Sequence, residues 1–206
     1  MAAYIEQLGA GMAKPSVKQH LAAIRQLLDS IDVTELSGLR DRALIGVMVY
    51  SFARVSAAAA LRVEDYFENG KRAWLRLHEK GGKRHEVPCH HNLATYLDAW
   101  INAAGIAAEK KGPLFRAIRK GNKLTENPMA REDVLAMIKR RAKAAALPYS
   151  TCCHTFRATG ITTYMQNGGT LEHAQQIAAH ESARTTKLYD RTQDEISLDE
   201  VERIRI

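Results

Sequence analysis

Asp41-Arg42-Ala43-Leu44-Ile45-Gly46-Val47-Met48-Val49-Tyr50-Ser51-Phe52-Ala53-Arg54 is apolar on nearly every side of a helical wheel. A helix without a polar face has to be surrounded by protein. The stretch is therefore expected as a central buried helix, and its apolar run from Leu44 to Ala53 is far too short to cross a bilayer. Upstream, Pro15 and Ser16-x-x-Gln19 read as a helix start, and Val17, Leu21, Ile24, Leu28 and Ile31 follow at helical spacing. Asp32 to Ser37 reads as a break. Downstream the period changes. Asn69-Gly70, Ala73-Trp74-Leu75-Arg76-Leu77, Gly81-Gly82 and His85-Glu86-Val87-Pro88 place two glycine turns around short strands, which predicts a small antiparallel sheet of two or three strands within Asp65 to Pro88.

Helix returns from Asn92, with Leu93, Tyr96, Leu97, Trp100 and Ile101 on one face, and ends near Gly105. Lys110-Lys111-Gly112-Pro113 and Lys120-Gly121-Asn122 read as loops. Further helices are expected over Glu132–Ala146, stopped by Pro148, over His154–Gln166 and over Leu171–His180. A last short helix is expected after Ser197-x-x-Glu200, with Leu198, Val201 and Ile204 as its apolar side. The fold class is mainly α with a small antiparallel β-sheet, packed as one globule.

The chain has 206 residues, a formal net charge of +7 and a sequence pI of about 9.4. That balance suits a polyanionic partner without requiring one. An odd cysteine count, Cys89, Cys152 and Cys153, is no disulfide framework and fits a reducing cytoplasm. The N-terminus has neither the basic nor the apolar region of a signal peptide. Cys152-Cys153-His154 and Cys89-His90-His91 lack metal-ligand spacing, so no metal or cofactor is expected.

The chemistry-bearing residues are dispersed. Arg54 lies in Ser51-Phe52-Ala53-Arg54-Val55-Ser56, and Lys80 in Glu79-Lys80-Gly81-Gly82-Lys83-Arg84. His154-x-x-Arg157 follows, and His180 precedes Tyr189 in His180-Glu181-Ser182-Ala183-Arg184-Thr185-Thr186-Lys187-Leu188-Tyr189. Cleaving a phosphodiester with a side chain needs a nucleophile in line, cations against the charge building on the phosphorane, and an acid for the leaving 5′ oxygen. A phenol, with a reference pKa near 10, leaves more readily than an alkoxide, so its phosphate ester stores the bond energy for resealing. Arg54 and Arg157 offer planar forks for phosphate oxygens. Lys80, at a hairpin tip, can reach the leaving oxygen. His154 and Arg157, three apart, share a helix face, and His154 can orient the phosphate or accept the tyrosine proton. His180 can donate to a non-bridging oxygen. Lys83, Arg84 and Lys187 are further candidate contacts to a phosphate backbone. Lys139, Arg140 and Arg141 read either as a solvated helix face or as further phosphate contacts. Singly, each piece has an ordinary reading: a packing tyrosine, a surface His-x-x-Arg, a hairpin turn, or an arginine at the C-terminal dipole of a helix. Trp74 and Trp100 read as core.

Taken in order, Phe52-Ala53-Arg54-Val55-Ser56, Glu79-Lys80-Gly81-Gly82-Lys83, His154-Thr155-Phe156-Arg157 and Ala179-His180-Glu181-x-x-x-Thr185-Thr186-x-x-Tyr189 resemble the catalytic domain of the tyrosine recombinases, the phage-integrase family, over about Leu27 to Ile206. The resemblance implies a phosphate clamp of Arg54 and Arg157, Lys80 as general acid, His154 and His180 in support, and Tyr189 as nucleophile. It also implies double-stranded DNA as partner, a homotetramer on DNA, and a terminal segment from Ser197 that docks on a neighbour.

Two positions depart from the family pattern. An acidic residue usually stands three after the first arginine, where this chain has Ala57, and a glycine usually precedes the second histidine, where it has Ala179. Residues 1–26 resemble only the end of the family's helical DNA-clamping domain, and 27–206 the catalytic domain. This division suggests an internal deletion or a minimised chain that encircles DNA poorly. Alternatives to a strand-transfer enzyme are a relaxing topoisomerase with the same nucleophile and a catalytically idle DNA-binding remnant.

Overall fold

The computed structural model describes residues 15–79, 84–180 and 182–189. Its first helix, α1 (Pro15–Ser30), starts on a proline, whose fixed φ and missing N–H suit the first turn. It runs unbroken past residue 26 and buries Ile24, Leu27 and Leu28, with Ile31 just beyond its end.

The central helix is α2 (Leu36–Tyr50), which buries its positions from Leu44 to Val49 without a break, as its apolar circumference requires. It starts earlier than Asp41 and stops short of Arg54. At its end the Ser51 hydroxyl turns back onto the Val47 carbonyl at 2.7 Å. Phe52 then enters the left-handed region at φ 53°, which ends the helix. A short helix follows, α3 (Val55–Ala59), with Arg54 as its extended N-cap residue.

The chain next forms the expected sheet. β1 (Tyr66–Asn69), β2 (Arg72–His78) and β3 (Arg84–Pro88) pair antiparallel in that order, with Tyr66 opposite Leu75 and Leu75 opposite Val87. Leu75, Leu77 and Val87 point into the core. α4 (His91–Ala104) packs against α2 and ends on Gly105 at φ 66°, a left-handed cap that glycine adopts without a Cβ penalty. Trp100 is fully buried, and its indole N–H donates to the Leu114 carbonyl at 2.8 Å.

Lys120-Gly121-Asn122 is the expected loop, but the residues on either side of it, to which the sequence assigns no element, are sheet. β4 (Arg116–Arg119) and β5 (Lys123–Pro128) form a second antiparallel hairpin around Lys120-Gly121-Asn122. β5 is largely exposed and polar, so it carries no alternating apolar signal. Three further helices follow: α5 (Arg131–Ala144), α6 (Cys153–Gln166) and α7 (Leu171–Ile177). α6 lies against α2 at Gly160, where a Cβ would stand 2.3 Å from the Val49 carbonyl oxygen. Only glycine permits that approach. A final short helix, α8 (Ala183–Lys187), packs on α7. The expected helix after Ser197 lies outside the described residues. Among the described residues no helix is long and apolar enough to cross a membrane.

Candidate active site

α7 stops at Ile177, three residues before the end expected from sequence. Ala179 sits at φ 47°. The Ala179 N–H donates to the Gln176 carbonyl and the His180 N–H to the Gln175 carbonyl, each at 3.0 Å. These two bonds are a Schellman termination. They place His180 at a fixed point just past the helix end, 6% exposed. Its Nδ1 is 2.8 Å from the hydroxyl of Thr186, a fully buried residue of α8. Its Nε2 is 2.7 Å from Nη2 of Arg157.

Arg157 projects from α6 and is almost fully enclosed. Nη1 donates to the Phe52 carbonyl and Nη2 to the Ala178 carbonyl, the latter at 2.7 Å. Both acceptors belong to segments bent by a left-handed residue, Phe52 itself and Ala179. A guanidinium has five donors; besides these contacts Arg157 also acts on the Tyr189 hydroxyl through a side-chain hydrogen bond. Burial, and then the nearby Arg54 charge, pull the Arg157 pKa down to about 10. It stays a cation at neutral pH.

Tyr189, directly after α8, is 5% exposed. Its hydroxyl is 3.2 Å from Nε2 of His154, and its ring lies parallel to that of His180 with centroids 6.0 Å apart. Burial raises the phenol pKa, against the opposing pull of Arg157 and Arg54. His154 stands on the first turn of α6, one turn before Arg157. Burial, then Arg157 and Arg54, lower its pKa. A neutral imidazole beside a protonated phenol can accept the phenol's proton as the oxygen attacks.

Arg54 reaches the same cluster from the front of α3, and its charge acts on Arg157, His154, His180 and Tyr189 alike. It sits at the start of a helix, so the ordinary reading of an arginine at a helix C-terminal dipole does not apply. Its Nη1 donates to Oε2 of Glu79, a buried carboxylate.

The structure thus brings Arg54, His154, Arg157, His180 and Tyr189 together from four separate segments. Lys80 and Lys83 lie outside the described residues. Arg84 opens β3 and is exposed, and Lys187 is exposed at the end of α8. The basic run on α5 is largely occupied. Arg140 and Arg141 both pair with the fully buried Asp41, at 3.0 and 2.8 Å, and Arg40 pairs with its other oxygen at 2.7 Å. Lys139 donates to the Tyr149 carbonyl and lies 4.4 Å over that exposed ring. Arg141 is mostly enclosed, while Arg140 keeps 59% of its side chain in solvent.

Both ring nitrogens of His180 are engaged within the protein. Arginine has no acceptor, so Nε2 of His180 accepts from Arg157, and Nδ1–H donates to Thr186. Burial, then Arg157, Arg54 and His154, bring its pKa down to about 4, which keeps the ring neutral. Here the ring holds Arg157 rather than presenting a free donor. Sequence reading missed Thr186 and Glu79 as supporting groups. Thr186 was visible only as a second threonine six residues after His180, and Glu79 only as an acid flanking Lys80.

The phage integrase family model matches residues 20–195, and the chain belongs to that family. It is 27% identical over 167 residues to the tyrosine recombinase XerD of Staphylococcus haemolyticus, covering 80% of this chain and 54% of that protein. It is 28% identical over 193 residues to XerD of Corynebacterium glutamicum, covering 88% and 61%. The chain therefore spans little more than half the length of these relatives. In fold it is similar to the XerA recombinase, with a TM-score of 0.68 at 22% identity over 84% of this chain and 58% of that one. It is also similar to the XerH site-specific recombinase bound to difH substrate, with a TM-score of 0.65 at 18% identity over 93% and 52%.

Proposed function

We propose that this chain carries the strand-transfer chemistry of a site-specific DNA recombinase acting on double-stranded DNA through a 3′-phosphotyrosine. The observation that carries the reading is the 3.2 Å approach of the Tyr189 hydroxyl to His154 inside a pocket that also holds two arginines. The Tyr189 oxygen attacks the backbone phosphorus while its proton passes to His154. Arg54 and Arg157 take the charge that builds on the non-bridging oxygens, and His180 holds Arg157. The bond from phosphorus to the 5′ oxygen breaks, and Lys80 protonates that oxygen. Reversal reseals a strand without ATP, because the ester bond conserves the energy of the one it replaced.

Residues 27–206 are the catalytic unit in this reading, with α1 continuing across its front edge. Lys83, Arg84, Lys187 and the solvent-facing part of Lys139, Arg140 and Arg141 contact the DNA backbone. Family resemblance supports a tetramer on DNA, with the segment from Ser197 reaching a neighbouring subunit, and a cytoplasmic site of action. The test is a set of nicked suicide duplexes with randomised cores. Wild-type protein forms a denaturation-resistant protein–DNA adduct, and Tyr189→Phe forms none while still retarding the duplex on native gels. Retardation without any wild-type adduct would make the chain a DNA-binding remnant. Plasmid relaxation with no sequence preference among trapped cores would make it a topoisomerase.

A further inference from the structure

Arg54 is the N-cap residue of α3, and Ala57 is the third residue of that helix. The third position is the one from which a carboxylate folds back on the capping residue. An acid there would bond the Arg54 backbone N–H from its own helix and so fix the capping residue, but Ala57 is a buried methyl group that cannot. Glu79 enters the same neighbourhood from a different element, directly after β2. Its side chain is 4% exposed, and Oε2 takes Nη1 of Arg54. Its other oxygen finds no partner among the described residues. A carboxylate is rarely enclosed this far unless it is paired, and Arg54 is its one ion-pair partner among the described residues. The contact is made through a single nitrogen, and 41% of the Arg54 side chain remains open to solvent. One nitrogen of the fork is held while the side chain as a whole stays partly open to solvent.

From this geometry we propose that Glu79 is the positioning residue for Arg54, supplying from the end of β2 the carboxylate brace that position 57 of α3 lacks. The inference deepens the proposed function and rests on it, since Arg54 must grip a reacting phosphate for its orientation to matter. Two chain segments are thereby coupled: the front of α3 and the strand that leads into Lys80. Glu79 makes no hydrogen bond to Tyr189 among the described residues, so its loss acts chiefly through Arg54, with a smaller effect of its charge on Arg157. A misplacement on the order of 1 Å at such a group costs about 100-fold in rate.

The test is single-turnover adduct formation on the randomised suicide duplexes, with duplex affinity and thermal melting measured in parallel. Glu79→Gln keeps the shape and removes the charge, and Glu79→Ala removes the brace. Adduct formation is expected to fall roughly 10-fold and 100-fold respectively, with duplex affinity changing less than about two-fold. Adding Ala57→Glu to Glu79→Gln is expected to recover most of the rate, a response that a purely structural Glu79 would not give. Wild-type rates in both single variants, or faster ones, would overturn the proposal. So would losses matched by equal losses of affinity and melting temperature, or failure of Ala57→Glu to recover any rate in a folded protein. If wild-type protein itself forms no adduct, the reading of Tyr189 falls and the role of Glu79 falls with it. Normal wild-type adduct with unchanged Glu79 variants sinks the brace alone.

Discussion

Nε2 of His180 lies 2.7 Å from Nη2 of Arg157, and that contact fixes the histidine's tautomer. The guanidinium can only donate, so the proton of a neutral ring is on Nδ1, where Thr186 takes it at 2.8 Å. Thr186 on α8, His180 after α7 and Arg157 on α6 form one line of hydrogen bonds. It ends on the guanidinium proposed to hold the phosphate. Because the Tyr189 N–H donates to the Thr186 carbonyl just past the end of α8, the proposed nucleophile and the proposed clamp share a support.

The His180 contact makes acid stability a readout of the site. Burial and the cations Arg157 and Arg54, with His154, hold the His180 pKa near 4, below the ordinary histidine value of 6.5. Between those two values the unfolded chain binds a proton at this residue and the folded chain does not. Stability therefore rises with pH through that window. It is fully present above pH 6.5 and is lost as pH falls toward 4. Thermal melts between pH 7 and 4.5 are expected to drop steadily, and His180→Gln is expected to flatten the profile. A residual slope remains, because His154 is shifted in the same direction by burial, Arg157 and Arg54. An unchanged profile in His180→Gln would show that neither burial nor Arg157 opposes protonation there.

Asp41 is the anionic centre of a different cluster. It is fully buried and paired with Arg40, Arg140 and Arg141. Removing one partner of a buried ion pair leaves the other charge stranded, which costs about 3–5 kcal/mol. Asp41→Ala is expected to lose stability in that range by urea unfolding, since the enclosed Arg40 and Arg141 lose their carboxylate. Arg140→Ala, with most of its side chain in solvent, is expected to cost less than about 1 kcal/mol. Duplex affinity in Arg140→Ala then reports DNA contact without a folding artefact.

The elements legible in the sequence were those whose periodicity is set by burial. α4 and the sheet of β1, β2 and β3 stand close to where the sequence puts them, α2 is the expected buried helix with shifted ends, and α5 and α6 stop before the Pro148 and Gly168-Gly169 breaks. The order of the site motifs was legible too, and the structure gathers Arg54, His154, Arg157, His180 and Tyr189. What was hidden depends on backbone turns made without glycine. Phe52 and Ala179 both adopt positive φ, and no composition signal marks them. The helix through Asp41 was therefore carried on to Arg54 and the helix from Leu171 on to His180. β4 and β5 were hidden for the opposite reason, because their exposed faces bury too little to show alternation. The brace on Arg54 joins residues 25 apart in sequence, a pairing that no local pattern encodes.

Ala179 offers a stabilising substitution. At φ 47° it is the left-handed residue of the Schellman termination of α7. A Cβ in that region costs roughly 1–2 kcal/mol, offset in part by the greater freedom of glycine in the unfolded chain, about 0.4–1 kcal/mol. Ala179→Gly is expected to gain about 0.5–1 kcal/mol by urea unfolding, with the adduct rate unchanged or higher. A destabilised Ala179→Gly would mean that Ala179 is not in the left-handed region in solution.

The pairing of Tyr189 with His154 predicts a change in the pH dependence of cleavage. Burial raises the phenol pKa, so few Tyr189 side chains ionise unaided at neutral pH. His154 lies 3.2 Å away with its own pKa lowered by burial and by Arg157 and Arg54, and is a neutral acceptor across the same range. With His154 present, adduct formation on suicide duplexes is expected to level off above about pH 7, once the imidazole is neutral. In His154→Ala the phenol has to lose its proton to water. The rate at neutral pH is then expected to fall about 100- to 10,000-fold, the usual range for a lost general base. It should climb tenfold per pH unit as hydroxide replaces the imidazole. A His154→Ala profile parallel to wild type, merely displaced downward, would assign His154 to holding the phosphate and leave the phenol's proton to another acceptor.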